Sequence, residues 1–404
     1  MTPSVLLDLA MAGLTVGMIY ALIALGYTMV YGVLEFINFA HGEVFTVGGY
    51  IVALVLLASD VQPDGPLATR LAWFAVALAV SVPATVLLGL LVERVAYRPL
   101  RGSSRIIMLL SAIGVSIVIQ NLIILIYGPE TISIPSLVPG FVMVGGTRIR
   151  LVAIAIIIAS LSIMAGLTWL IRATRIGKAM RATSQDREAA EMMGIDTNRT
   201  IAFTFAVGSG LAAVGGFFVV LYYGTLKYDT GFLFGVKAFT AAVLGGIGNI
   251  PGAVIGSLAL GVAEVMGVGA TLGVLAWFFA AGLALGLYVQ IVRAPKRRLI
   301  HLRTDQRTPE YERQLVRVYR LAPVYAVRTV LGERTDALRD VAARHALRLL
   351  GGNVFLAVVT AMFALNGGYQ IDTRWQNVIA FLLLVLILLF RPAGIIGEHL
   401  PEKV

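Results

Sequence analysis

Asn38, His41 and Glu43 are polar or ionisable residues that stand between and within two long apolar runs, 5–33 and 36–58. Ionisable side chains at the depth of a lipid bilayer are costly, and they usually face a polar cavity or a partner group. We therefore predict that the three residues lie on a path for a polar substrate. The alternative is that His41 and Glu43 lie in the headgroup region, where charge costs little.

A second interruption falls late in the chain, within the apolar segment 236–266. Glycine lowers helix propensity and proline removes a backbone donor, so this stretch cannot continue a straight helix. Two interrupted segments, one early and one late, are typical of a substrate path through a transporter. The alternative is an ordinary loop between two helices. The residues assigned to the path here are Gly245, Gly246, Gly248, Asn249 and Pro251.

The polar loop 172–200 contains the pattern of a short helix with one apolar side. Ser184 is predicted as its N-cap, and Gly194 as the residue that ends it. Ala189, Met192 and Met193 follow helical spacing, which is typical of a helix that inserts into a groove on a soluble partner. A helix lying on the membrane surface is the alternative. The residues expected to contact the partner are Glu188, Ala189, Ala190, Met192, Met193 and Gly194.

Composition places the chain in a bilayer, because 58% of its residues are hydrophobic and only 13% are charged. The absence of cysteine excludes disulfides, thiolate metal sites and cysteine nucleophiles. Residues 293–348 carry 14 Lys or Arg against 6 Asp or Glu, which is most of the net charge of +10. A segment facing anionic membrane lipid explains this excess, and nucleic-acid binding is not expected. No metal cluster and no nucleophile–base pair is visible, so we predict no enzymatic activity, no metal site and no cofactor.

The elements that must position these residues are transmembrane helices, since one crossing takes about 20 apolar residues. We predict an all-α polytopic transmembrane helical bundle with interrupted helices. Basic loops at 94–105, 172–187 and 293–298 are expected on the cytoplasmic side, and loops 59–67 and 128–150 outside. That alternation requires 236–266 to enter and leave from one side. The apolar runs are 5–33, 36–58, 68–92, 106–127, 151–171, 200–222, 236–266, 268–292, 350–368 and 376–390.

Four stretches of the sequence resemble the LivH-type permease of branched-chain amino acid ABC importers. They are Tyr20–Val33, Ile37–Tyr50, Lys237–Gly252 and Phe390–Gly397. The segment Glu188-Ala-Ala-x-x-x-Gly194 also resembles the first half of the EAA loop by which ABC permeases contact their ATPase.

This resemblance implies a subunit of the bacterial cytoplasmic (inner) membrane that works with several partners. They are a second, LivM-like permease, two ATP-binding subunits and an extracytoplasmic substrate-binding protein. The chain has no phosphate-binding Gly-x-x-x-x-Gly-Lys-Ser/Thr motif, so ATP would be bound and hydrolysed by the partners. Branched-chain amino acids are the implied substrates, and related permeases serve urea and amides.

The sequence departs from this family after Glu264, because family members run from the equivalent of this residue almost directly into their last helix. We predict a permease core at 1–267 with the coupling loop 172–200, an insertion at 268–374, and a final transmembrane helix with a cytoplasmic tail at 375–404. The insertion is expected to hold about two extra crossings that flank a basic cytoplasmic segment, 293–349. Its amphipathic helices favour the membrane surface, with ATPase contact or regulation as alternatives.

The other function considered is a secondary transporter driven by an ion gradient. The predicted docking helix argues against it, as does the shortage of paired intramembrane carboxylates and lysines that a proton relay requires.

Overall fold

The computed structural model describes residues 3–269, apart from positions 35 and 145, together with the single position 385. The predicted insertion, its basic segment and the final helix therefore lie outside the described residues. In chain order the α-helices are α1 (Pro3–Leu34), α2 (His41–Ala58), α3 (Leu67–Val92), α4 (Arg105–Tyr127), α5 (Leu151–Ala173), α6 (Arg175–Gln185), α7 (Arg187–Met192), α8 (Thr197–Tyr223), α9 (Thr230–Gly245) and α10 (Ile250–Gly269). A π-helical turn, Glu93–Tyr97, and a 3₁₀ turn, Arg98–Leu100, continue α3.

Six of the described helices are each long and apolar enough to cross a membrane. The bent pair α9–α10 gives a seventh span if the two helices are counted as one crossing. This architecture confirms the predicted all-α, multi-pass helical bundle. Helices α9 and α10 meet at an angle of 119° across a break of a few residues, which confirms that the segment 236–266 is interrupted.

The interior of the bundle is formed by α1, α2 and α8. About 70% of the apolar stretch of each of these helices is buried, against 22% for α4 and 28% for α3. Small residues allow the close packing, because a side chain on Gly216 of α8 would overlap the backbone of Gly49 in α2. The outward sides of α3 and α4 carry exposed large apolar residues such as Leu87 and Leu125, as expected for surfaces that meet lipid.

One end of the bundle carries four short strands that the sequence did not predict. They are β1 (Ile132–Ser133), β2 (Phe141–Val144), β3 (Thr147–Arg150) and β4 (Thr225–Leu226). Strands β2 and β3 form an antiparallel hairpin, and β1 pairs with β4. The Thr147 hydroxyl donates to the carbonyl of Ser4 at 2.8 Å, so the start of α1 lies at this same end.

The opposite end gathers the loops that were expected on the cytoplasmic side. The Arg101 guanidinium donates to the Asn198 side chain, and the Tyr97 hydroxyl donates to Asn38. The turn before α2, the end of α3 and the start of α8 thus lie together. This grouping agrees with the alternating path predicted from the basic loops, and the assignment of this end to the cytoplasm stays a prediction.

Candidate substrate path and docking helix

The turn that precedes α2 is held inside the protein rather than at a polar surface. Asn38 is buried, and its Oδ1 accepts a hydrogen bond of 2.6 Å from the hydroxyl of Tyr97. The ring of Phe36 meets the ring of Tyr97 edge-on, with 5.1 Å between centroids. These contacts give the side-chain amide of Asn38 a partner, which a buried polar group requires.

His41 is the first residue of α2, and its imidazole lies against α1. The ring packs edge-on against Tyr27, with 4.9 Å between centroids, and it occupies the space that a side chain at position 26 would need. Gly26 is therefore required by the position of His41. Within the described residues the Nε2 atom of His41 has no hydrogen-bond partner, although it is buried.

Glu43, two residues after His41 in α2, is completely buried. Its Oε1 accepts hydrogen bonds from Gln120 Nε2 at 2.8 Å and from Ser116 Oγ at 3.3 Å, both on α4. Its Oε2 accepts none in the part of the chain that the structure describes, and no cation there pairs with it. A buried carboxylate with spare acceptor capacity can bind an ammonium group or a proton. The assignment of Glu43 to a substrate path, rather than to the headgroup region, stays a prediction.

The glycine-rich segment forms the turn between α9 and α10. Gly246 adopts a φ of 105°, which a residue with a side chain rarely adopts, and it follows the last residue of α9. The side chain of Asn249 accepts a hydrogen bond from the backbone amide of Gly252 at 3.2 Å, which caps the start of α10. Gly245 and Gly246 are buried, whereas Gly248 and Pro251 are exposed.

The structure brings the two interrupted segments into contact. The rings of Phe39, in the turn before α2, and Phe239, in α9, lie 5.7 Å apart. The backbone of Gly42 lies directly against the backbone of Gly231 and Gly235 in α9, with no room for a side chain between them. The two interrupted segments therefore pack against each other, and the role of the predicted path residues in substrate passage remains a prediction.

A buried ion pair between α9 and α10 was not predicted from the sequence. Lys237 of α9 and Glu264 of α10 pair at 2.6 Å between Nζ and Oε1, and the hydroxyl of Tyr20 in α1 donates to Glu264 Oε2 at 2.9 Å. The sequence analysis expected a shortage of paired carboxylates and lysines in the apolar segments. The structure corrects this expectation, because it shows one such pair. The available signal was the presence of each charged residue alone within an apolar run, since such residues are rare there unless they pair.

The docking helix predicted in loop 172–200 is α7, and its N-cap differs from the prediction. Ser184 lies inside α6, where its hydroxyl donates to the carbonyl of Arg181. Asp186 is the cap instead, and its Oδ1 accepts from the amide of Ala189 at 3.0 Å. The prediction of Ser184 was wrong because α6 continues to Gln185, and the chain becomes extended only at Asp186.

The carboxyl end of α7 matches the predicted stop. Gly194 adopts a φ of 81°, its amide donates to Glu191, and the amide of Ile195 donates to Ala190. This pair of bonds is the Schellman motif that commonly ends a helix. Ala190 faces inward and is buried, whereas Met192 and Met193 are 82% and 83% exposed. Glu188 is also exposed and Ala189 half-buried, so α7 presents an apolar tip that nothing in the described part of the chain covers.

Within the described residues no group of three or more His, Asp or Glu side chains could hold a metal ion. The helices, the broken pair and the exposed short helix define the class: a multi-pass helical membrane protein with an exposed short helix at one end. The family described as the permease component of branched-chain amino acid transport systems matches residues 9–292, and the chain belongs to this family. The match includes the apolar run 268–292, which the sequence analysis placed in the insertion.

Individual relatives agree with this family. The chain is 47% identical over 262 residues to the high-affinity branched-chain amino acid transport system permease protein BraD of Pseudomonas aeruginosa. The matched region covers 63% of this chain and 84% of that protein. The chain is 45% identical over 262 residues to the permease protein LivH of Escherichia coli, with 63% and 83% covered. A probable LivH of Methanocaldococcus jannaschii is 28% identical over 255 residues, with 60% and 75% covered. No solved structure matches the chain. The resemblance drawn from the four sequence stretches is therefore confirmed.

Proposed function

We propose that the chain is the membrane-spanning permease subunit of an ATP-binding cassette importer that translocates branched-chain amino acids or related small polar substrates. The family and the relatives' names support this function, and both describe a transport component rather than an enzyme. The multi-pass bundle supplies the membrane span, and the bacterial cytoplasmic membrane is its expected location.

The observation that carries the ATP-driven mechanism is the uncovered apolar tip of α7. Met192 and Met193 project from a helix that is fixed at both ends by its own cap and stop. Flexible methionine side chains at helical spacing suit a hydrophobic groove on a partner. We infer that α7 inserts into an ATP-binding subunit, which binds and hydrolyses the nucleotide. The proposed importer is completed by two such subunits, by a second permease of the LivM type, and by an extracytoplasmic binding protein.

The proposed substrate path runs through the contact between the two interrupted segments. Its polar groups are the buried Asn38, His41 and Glu43, which alternate in the sequence with buried apolar residues such as Phe36 and Phe45, and the half-buried Asn249. An amino acid with an apolar side chain requires both kinds of surroundings, because its backbone ammonium and carboxylate are charged. Glu43 is the acidic group on this path, and its Oε2 accepts no hydrogen bond from the described residues, so it suits the ammonium.

Reconstitution tests the proposal directly. The chain is co-purified with its three kinds of partner, placed in liposomes, and assayed for leucine uptake with and without internal ATP. We expect uptake that depends on ATP and on the binding protein. The pair Met192→Asp and Met193→Asp should abolish ATPase co-purification, whereas Met192→Leu with Met193→Leu should retain it, since leucine conserves volume and apolar character.

An ion-coupled transporter is the second candidate, because the Lys237–Glu264 pair is the kind of group that such proteins use. Uptake of leucine by this chain alone, abolished by ionophores and indifferent to ATP, would establish that function and refute the importer. A panel containing urea and acetamide in the same assay separates the amino acid importer from a urea or amide permease.

A further inference from the structure

Four side-chain contacts, joined by the backbone at Thr197–Asn198 and along the π-helical turn Glu93–Tyr97, connect α7 to the turn that precedes α2. The residues that make them, from the docking helix inward, are Glu191, Thr197, Asn198, Arg101, Glu93, Tyr97 and Asn38, and we refer to them as the polar relay. These residues come from three separate stretches of the sequence, at 38, 93–101 and 191–198. The two ends of the relay are the element proposed to contact the ATPase and the turn proposed to lie on the substrate path.

The first contact joins α7 to α8. The hydroxyl of Thr197 donates to the carboxylate of Glu191, and Arg187 pairs with the same carboxylate at 3.3 Å. These hydrogen bonds lower the pKa of Glu191 from its ordinary value, so the contact is made by the charged form. Thr197 is buried and opens α8, so a displacement of α7 acts directly on the first turn of α8.

The second contact joins α8 to the end of α3 through Arg101. One guanidinium nitrogen donates to Asn198 Oδ1 at 2.5 Å, and another pairs with Glu93 Oε1. The side chains of Arg101 and Glu93 are 6% and 5% exposed. Burial lowers the pKa of Arg101 from its ordinary value, and the charge of Glu93 opposes that effect. The planar guanidinium keeps both contacts in a fixed geometry, so Asn198 and Glu93 must move together.

The third contact reaches the turn before α2 through a π-helical turn. Glu93 and Tyr97 are the first and last residues of this turn, which interrupts the regular continuation of α3. Single π-helical turns are rare, and they frequently occur at functional sites. The Tyr97 side chain is completely buried, and its hydroxyl holds Asn38 at 2.6 Å, three residues before His41.

We infer that the polar relay transmits movement of the docking helix to the turn that positions His41 and Glu43, with the π-helical turn as the segment that changes conformation. This inference rests on the proposed function, because it assigns a route by which ATP hydrolysis acts on the substrate path. Networks of hydrogen bonds and rigid helical segments that connect two sites can carry such coupling. Arg101 and Tyr97 are positioning residues in this scheme, since neither contacts substrate.

Two substitutions break the relay without leaving a buried charge unpaired. Asn198→Ala removes the acceptor for Arg101 but retains the Arg101–Glu93 pair, and Tyr97→Phe removes only the hydroxyl. Each has a matched control. Asn121→Ala removes an exposed amide on α4, and Tyr50→Phe removes a buried hydroxyl that has no hydrogen-bond partner among the described residues.

The measurement is leucine transported per ATP hydrolysed by the complete importer in liposomes, together with the ATPase rate and the thermal unfolding midpoint of each complex. We expect Asn198→Ala and Tyr97→Phe each to lower this ratio by about fivefold or more, the lower limit of typical coupling between sites. ATPase rate and unfolding midpoint should match those of the controls, which should couple like the parent.

Other outcomes overturn the inference. An unchanged ratio in both relay variants refutes the relay but leaves the proposed function intact, provided that the parent complex couples uptake to ATP. A parallel loss of ATPase rate, uptake and unfolding midpoint would show that the contacts only stabilise the fold. A parent complex that hydrolyses ATP without leucine uptake would instead contradict the proposed function.

Discussion

Removing one charge from the Lys237–Glu264 pair is expected to destabilise the bundle strongly. The two side chains are 10% and 0% exposed, and their charged atoms are 2.6 Å apart. Glu264→Gln conserves volume and leaves an acceptor for the Tyr20 hydroxyl, so the main loss is the counter-charge of the Lys237 ammonium. Truncating one partner of a buried pair costs about 3–5 kcal/mol, because the remaining charge is left uncompensated.

Removing both charges separates this cost from loss of packing. In the double variant Lys237→Met with Glu264→Gln, no charge is left buried, and replacement of a buried pair by uncharged groups is often neutral or stabilising. We expect the double variant to recover most of the stability that Glu264→Gln loses. The resulting non-additivity should be about 3 kcal/mol, which is large for two residues in contact.

The assay is the apparent free energy of unfolding of the purified chain in mixed micelles, followed by circular dichroism as denaturing detergent is added. Lys227→Met is the control, because Lys227 and Asp229 are 3.9 Å apart and about 40% exposed. Its effect should stay within about 1 kcal/mol, as for surface pairs generally. The reasoning is refuted if the double variant is as unstable as Glu264→Gln, since the unpaired charge would then not be the cause.

Three further predictions concern individual contacts. Gly26→Ala should lower the apparent free energy of unfolding by about 1–3 kcal/mol, because the added methyl group overlaps the imidazole of His41. Adding His41→Ala should recover much of this loss, and no recovery would contradict the contact. Asp186→Ala should destabilise α7 by about 1 kcal/mol, seen as faster amide hydrogen exchange of that helix, whereas equal acceleration by Ser184→Ala would contradict the cap assignment. The lowered pKa of Glu191 means that its stabilising contribution is complete above the ordinary value of 4.5 and is lost as the pH falls through the lowered one. The difference in unfolding midpoint between the parent and Glu191→Gln should accordingly be constant above about pH 4.5 and shrink below it.

Much of the candidate site could be located from the sequence because its signals are local. The break at Gly245–Pro251 follows from residues that cannot continue a helix, and α7 follows from a few consecutive residues with an apolar side. The N-cap was misassigned because Ser184 and Asp186 are both good capping residues. Only the continuation of α6 decides between them. The four strands were missed because each has two to four residues, too few to show alternation.

The sequence by itself determined the class of the protein, the positions of the membrane-length helices among the described residues and the family, because apolar length, helix-breaking residues and motifs are properties of short stretches. Only the tertiary structure decided which distant residues meet. It paired Lys237 with Glu264, placed Glu43 against α4, and joined Tyr97 to Asn38 across 59 positions of the chain. These contacts depend on how the helices pack, and packing is set by shape across the whole bundle rather than by the pattern within any one helix.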